Sequence, residues 1–240
     1  MPEIRALLRG YHRFREEIFK ADHARYEQLV REGQHPHTCI IACSDSRVDP
    51  VMILDARPGD LFVIRNVANL VPPWEPGTGS FHGTSAGLEY AVCNLQVRNL
   101  VVMGHSHCGG ITALLEGYGE HDEGEGFIAP WVGLLRWARE RVLRVYPEAD
   151  GEVLARACER TAVEVSLDNL LSFPFIAKRV EAGTLRVLGW YFDIEQGYLF
   201  ECQRGWHRFD AAPMDPYHPT ETTGAPQETP QETPDSDVYR

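Results

Sequence analysis

Thr38-Cys39-Ile40-Ile41-Ala42-Cys43 runs directly into Ser44-Asp45-Ser46-Arg47, an apolar, β-branched stretch ending in a small polar loop that carries a thiol, a carboxylate and a guanidinium. Two further runs of this kind follow, Asp60-Leu61-Phe62-Val63-Ile64-Arg65 and Asn99-Leu100-Val101-Val102-Met103-Gly104, with a helical pattern around 83–96 between them. Continuous apolar runs of five or six residues mark strands buried on both faces, and strands alternating with helices imply a parallel sheet. Downstream, 127–146 and 152–172 have helical periodicity. The segments 184–192 and 197–201 read as a closing antiparallel hairpin around Gln196-Gly197.

Upstream, Ile4, Leu7, Leu8, Tyr11, Phe14, Ile18 and Phe19 recur at three-to-four spacing, an amphipathic helix or a pair broken near Gly10. Such an arm wants another surface to cover. The fold expected is α/β, a single domain over 1–210 with a mostly parallel central sheet flanked by helices, the closing hairpin, and an N-terminal helical arm over 1–33. The remaining 211–240 repeat Pro-Gln-Glu-Thr, carry six acids against Arg240 and almost no aliphatic residues. They cannot bury enough surface to offset chain entropy and read as a disordered acidic, Pro-rich tail.

The whole chain of 240 residues is 43% hydrophobic and carries a net charge of -12. That balance fits a globular protein and argues against a nucleic-acid partner, whose phosphates it would repel. No run reaches the roughly 20 apolar residues of a membrane helix, so no membrane insertion is expected. The first residues lack the apolar core of a signal peptide, which makes the cytoplasm the expected compartment. Six cysteines are too few for a disulfide scaffold, and in a reducing compartment a Cys near a His reads as a metal ligand or catalytic thiol.

In open parallel sheets ligands sit beyond the carboxyl ends of strands. Two such ends carry the unusual residues, Cys43-Ser44-Asp45-Ser46-Arg47 and His105-Ser106-His107-Cys108-Gly109-Gly110. Cys43, His105 and Cys108 would supply the three protein ligands of a catalytic zinc site with one open position. The competing reading, thiols and an imidazole satisfied in a core, stays open on spacing alone. Cys39, Cys93, Cys158 and Cys202 lie in apolar patterns and read as buried thiols. Asp45 and Arg47 suit a bidentate pair that would hold the carboxylate beside a metal without letting it ligate; the alternative is an ordinary cap with a surface partner.

At these residues the sequence resembles the β-class carbonic anhydrases. The similarity runs from Tyr11 to about Arg208 and includes Arg65-Asn66-Val67-Ala68-Asn69, Glu89-Tyr90-Ala91-Val92 and 166–171. The resemblance implies one zinc ion per chain on Cys43, His105 and Cys108, a gating dyad of Asp45 and Arg47, and reversible hydration of carbon dioxide to bicarbonate by zinc-hydroxide attack. It implies a homodimer, or a dimer-based higher oligomer, whose N-terminal helices wrap the partner. The family's plant-like version lines its substrate pocket with Gln, Phe, Val and Tyr, which fall on Gln34, Phe62, Val67 and Tyr90. The other version binds inhibitory bicarbonate with Trp, Arg and Tyr; the matching positions are Ile40, Arg65 and Phe192, so no such site and an open zinc near neutral pH are expected.

His107 is expected outside the ligand set, His82 has no assigned role, and His35, His37 and His121 are candidate proton carriers. Competing functions are hydrolysis of carbonyl sulfide or carbon disulfide at the same site, a metal-bound scaffold, and a thiol redox protein. The last is disfavoured because Cys43 and Cys108 form no Cys-x-x-Cys pair. A secondary expectation is that the tail recruits a protein partner, for instance into a carbon-fixing assembly.

Overall fold

The computed structural model describes residues 2–76, 82–118 and 126–202. The elements are α1 (Pro2–Arg13), α2 (His23–Glu32), β1 (Thr38–Cys43), α3 (Pro50–Ile53), β2 (Leu61–Asn66), α4 (Gly83–Glu89), β3 (Asn99–His105), α5 (Gly109–Leu115), α6 (Ile128–Val132), α7 (Arg136–Val145), α8 (Gly151–Ser172), α9 (Pro174–Glu181), β4 (Arg186–Phe192) and β5 (Leu199–Cys202). The tail over 211–240, His121 and the Gly77–Phe81 loop lie outside the described residues.

The sheet runs in the order β2-β1-β3-β4-β5, parallel except for the antiparallel β4–β5 pair. From β1 the chain crosses to β2 on one side and returns to β3 on the other. The ends of β1 and β3 therefore flank the topological switch point, where doubly wound sheets bind ligands. Both are central strands, buried along nearly their whole length. Cys39 and Ile41 pack with Leu88, Val163, Leu167 and Leu170 on one face. Ile40, Ala42, Val101 and Met103 pack with Ile53, Leu188 and Trp190 on the other.

The 22-residue α8 lies across β3 and β4, its start capped by the Asp150 carboxylate, which accepts from Val153 N at 2.9 Å. The approach is close. A Cβ on Gly104 would sit 2.6 Å from Val163 Cγ2, and one on Gly189 2.9 Å from Val163 Cγ1.

The expected single helix over 127–146 is broken: α6 ends at Val132, a 3₁₀ turn spans Gly133–Leu135, and α7 follows. In the arm, Gly10 stays helical inside α1, the chain continues through a π-helical turn over Phe14–Phe19 whose flanking residues are also helical, and the break falls at Asp22 (φ -109, ψ 23) before α2. Phe14 meets Tyr26 edge-on and Phe19 lies tilted against it. A single Gly inside a helix costs only about 1 kcal/mol, too little by itself to end it. The arm's stripe is uncovered within one chain, with Ile4, Leu7, Leu8, Tyr11 and Ile18 all more than half exposed. A second π-helical turn, Tyr90–Asn94, turns Ala91 and Val92 inward and Cys93 outward, so Cys93 is exposed and the buried-thiol expectation fails there.

Candidate metal centre

Cys43 ends β1, His105 ends β3 and Cys108 opens α5, so two adjacent strand ends and one helix start deliver the three side chains. All three are buried, and their ligand atoms lie within 4.8 Å of one another. The Cys43 and Cys108 sulfurs are 4.0 Å apart. Two thiolates on one tetrahedral zinc, each about 2.3 Å from it, would be separated by about 3.8 Å. The His105 Nδ1–H donates to the Ser106 carbonyl at 2.8 Å, which leaves Nε2 as the free lone pair. That Nε2 is buried with no hydrogen-bond partner. A buried acceptor without a partner beside two thiols is what a metal ion would satisfy, so the donor set fits the group.

Within the thiol pair, the hydrogen bond between the sulfurs pushes Cys43 down and Cys108 up, and burial adds to the rise of Cys108. The Asp45 N–H, 3.4 Å from Cys43 Sγ, further favours the Cys43 thiolate.

Asp45 and Arg47 form the fork their spacing suggested. Arg47 Nε donates to Asp45 Oδ1 at 3.0 Å and Nη2 to Oδ2 at 2.7 Å, while the Arg47 backbone N–H reaches Oδ1 at 2.9 Å. The cap of the helix that follows is Asp49 rather than Asp45: its carboxylate accepts from Val51 N at 2.9 Å at the start of α3. Arg47's hydrogen bonds hold Asp45 well below the usual carboxylate range. Arg47 Nη2 also donates to the His107 carbonyl at 2.9 Å. That carbonyl is aimed by a left-handed backbone at His107, φ 57, unusual for a residue other than glycine. The His107 ring pairs with Glu195 Oε1 at 2.9 Å and is no ligand.

Arg65 clamps the loop from the β2 side. Its guanidinium donates to the carbonyls of Cys43 at 2.9 Å and Asp45 at 2.7 Å and pairs with Asp49 at 3.0 Å. Val67 packs in the same apolar cluster as Cys43 and Cys108, its carbonyl held by Trp131 Nε1 at 2.8 Å. Ile40 lies in the opposite-face cluster, and Phe192 packs beside Val67.

The other three residues that the resemblance assigns to a substrate pocket are elsewhere. Phe62 pairs with Cys39 in the sheet register, four residues and about 13 Å from Cys43, toward the amino ends of the strands. Tyr90 stacks on Phe62 with ring centroids 5.8 Å apart, and Gln34 is exposed in the segment before β1.

Sequence reasoning missed the support beneath Cys108. Glu159 of α8, 3% exposed, accepts the Cys108 N–H at 3.1 Å through Oε1 and the Tyr191 hydroxyl at 2.7 Å through Oε2. Burial pushes this carboxyl up, while the two donors oppose the rise. Ser106 Oγ likewise accepts from Ile194 N at 2.8 Å, tying the ligand turn to the residues after β4. The one available signal was an acid on an otherwise apolar helix face, between Cys158 and Ala162-Val163.

Residues 38–199 match the carbonic anhydrase family. The chain is 36% identical over 208 residues to a carbonic anhydrase of Synechocystis sp., covering 87% of this chain and 74% of that protein. It is 33% identical to a carbonic anhydrase of Synechococcus elongatus, covering 84% and 72%. Among solved structures it is similar to the β-carbonic anhydrase CcaA, with TM-score 0.77, 35% identity and coverage of 84% of this chain and 88% of that one. It also resembles a tetrameric β-carbonic anhydrase of the ascomycete Sordaria macrospora, with TM-score 0.72, 28% identity and coverage of 84% and 97%.

Proposed function

The chain belongs to the carbonic anhydrases, in their β class, and from that membership we propose that it catalyses reversible hydration of carbon dioxide to bicarbonate and a proton, with one zinc ion per chain on Cys43, His105 and Cys108. The observation that carries the reading is the pair of sulfurs 4.0 Å apart with the partnerless, buried His105 Nε2 beside them at the sheet's switch point. Zinc bound there would lower the pKa of a water from 15.7 to about 7, making hydroxide available near neutral pH.

The chain's own residues do the rest. Arg47 keeps Asp45 ionised and engaged in the fork, so in this reading the fourth coordination position stays open near neutral pH. Asp45 can then accept a hydrogen bond from the attacking hydroxide and aim its lone pair at carbon. Val67 supplies an apolar wall, suited to a small neutral substrate. Arg65, already committed to the Cys43 and Asp45 carbonyls and to Asp49, is not free to build an inhibitory bicarbonate site with Ile40 and Phe192.

Gln34, Phe62 and Tyr90 complete the pocket of a second copy in this reading. Their distance from Cys43 within one chain supports it, as do the uncovered apolar arm and the edge position of β2, whose apolar residues stay half exposed. The assembly is a homodimer or is built from dimers. Six free cysteines accord with a reducing compartment, the cytoplasm. Among the described residues no helix is long and apolar enough to cross a membrane. For 211–240, which lie outside the described residues, the role proposed is recruitment of a protein partner; unchanged pull-down partners after deleting them would remove that role.

Hydrolysis of carbonyl sulfide or carbon disulfide could use the same ligands. Stopped-flow hydration with a pH indicator, run beside a sulfide-release assay on the same zinc-loaded sample, separates them: hydration without sulfide release supports the proposal, and the reverse overturns it.

A further inference from the structure

We propose that Glu159 is a positioning residue for the metal site, acting through the backbone of Cys108; this rests on the reading of Cys43, His105 and Cys108 as metal ligands. A carboxylate buried to 3% exposure is unfavourable unless its oxygens are matched, and here both are. Oε1 takes the Cys108 N–H at 3.1 Å, Oε2 takes the Tyr191 hydroxyl at 2.7 Å, and Arg156 Nη1 stands 3.4 Å from Oε2. Three elements converge on one side chain: α8 carries Glu159, β4 carries Tyr191, and Cys108 caps α5.

The geometry gives this convergence a purpose. The Tyr191 backbone pairs with Gly104 in the β3–β4 register, one residue before His105, so the residue whose hydroxyl fixes Glu159 is seated beside the strand end that presents the imidazole. Cys108 follows His107, whose left-handed backbone makes the ligand turn a strained one. A turn of that kind keeps its shape only where a fixed point holds it. The Cys108 amide is that point, and a buried acceptor oxygen 3.1 Å away, itself fixed by Tyr191, holds it. With the amide fixed, the Cys108 sulfur is held facing Cys43.

The test is zinc affinity, measured on the full-length protein by competition with a chromophoric chelator, together with the visible spectrum of the cobalt-substituted protein. Glu159→Gln keeps an acceptor at the same reach and is expected to bind zinc within about threefold of wild type. Glu159→Asp keeps the charge but withdraws it by one methylene; its affinity is expected to fall about 10- to 100-fold, with weakened tetrahedral cobalt bands. Wild-type affinity and spectrum in Glu159→Asp would overturn the proposal. So would a Gln variant as weak as the Asp variant or weaker, because an acceptor at unchanged reach would then not suffice to hold the Cys108 amide. Tyr191→Phe releases one anchor without removing the carboxylate, and covers the case in which Glu159→Asp fails to fold. A threefold or greater loss in it is expected, and unchanged affinity there overturns the proposal. If wild type takes up no zinc, it is the metal reading that falls.

Discussion

The Asp45 carboxylate and the Arg47 guanidinium meet in two parallel hydrogen bonds of 3.0 and 2.7 Å, with Asp45 only two residues from Cys43 of the proposed metal site. A carboxylate so close to a metal position would ligate it if released. Arg47→Ala is therefore expected to lower the carbon dioxide hydration rate by about 100-fold or more, and Arg47→Lys to recover little, since an ammonium cannot make the fork. Stopped-flow rates on zinc-loaded variants check both.

The pH dependence follows from the same pair. Arg47 depresses the Asp45 pKa, so the paired state is present above the ordinary carboxylate value of about 3.9 and is lost only as pH falls through the lower folded value. Asp45 does not titrate between pH 6 and 9. Two thiolates donate more charge than imidazoles would, so water activation needs a higher pH, and the rate is expected to climb between pH 7 and 9. A rate profile flat over that range would contradict this.

Placement of Phe62 and Tyr90 far from Cys43 gives a test by mixing chains. A Cys108→Ser chain lacks the metal site, and a Phe62→Ala/Tyr90→Ala chain lacks two walls. In a two-fold dimer with pocket residues supplied across the interface, each heterodimer regains one intact site. Co-refolding equal amounts should restore about a quarter of wild-type activity, half the dimers each having half their sites. No recovery would place the pocket residues in their own chain's site.

Burial raises the thiol pKa of Cys39 to about 12 and of Cys158 and Cys202 to about 11. The stabilisation from keeping them neutral is fully present below the ordinary thiol value of about 8.5 and is lost as pH rises through 11. The melting temperature should fall between pH 9 and 11. At pH 8 iodoacetamide should label exposed Cys93 first, with Cys43 and Cys108 reacting only after chelation. Mass spectrometry of the labelled peptides checks the order.

Gly104 lies where α8 presses on β3, one residue before a metal ligand. Gly104→Ala must push Val163 aside, at a cost of about 1–3 kcal/mol, and should lower the melting temperature by about 5 °C. Val163→Ala in the same chain should recover part of it, as calorimetry would show.

Thr38–Cys43 and Asn99–His105 were legible because central strands of a parallel sheet are apolar on both faces, and chemistry-bearing residues following such runs stand out. Asp45 and Arg47 were legible because two-residue spacing is a local relation. What escaped was set by packing between distant segments. Glu159 acquires its role only when α8 crosses β3, and Cys93 turns outward through a π-helical turn that an ordinary helical period does not show. Gln34, Phe62 and Tyr90 were located by resemblance, yet only the register of β1 against β2 separates Phe62 from Cys43.

The most direct test of the account is to measure zinc content and carbon dioxide hydration on the same samples of wild type and Cys108→Ser. The account requires one zinc per chain and zinc-dependent hydration in wild type, with both lost in the variant. Full hydration by Cys108→Ser, or a wild type that binds zinc stoichiometrically yet hydrates no carbon dioxide from pH 7 to 9, would contradict it.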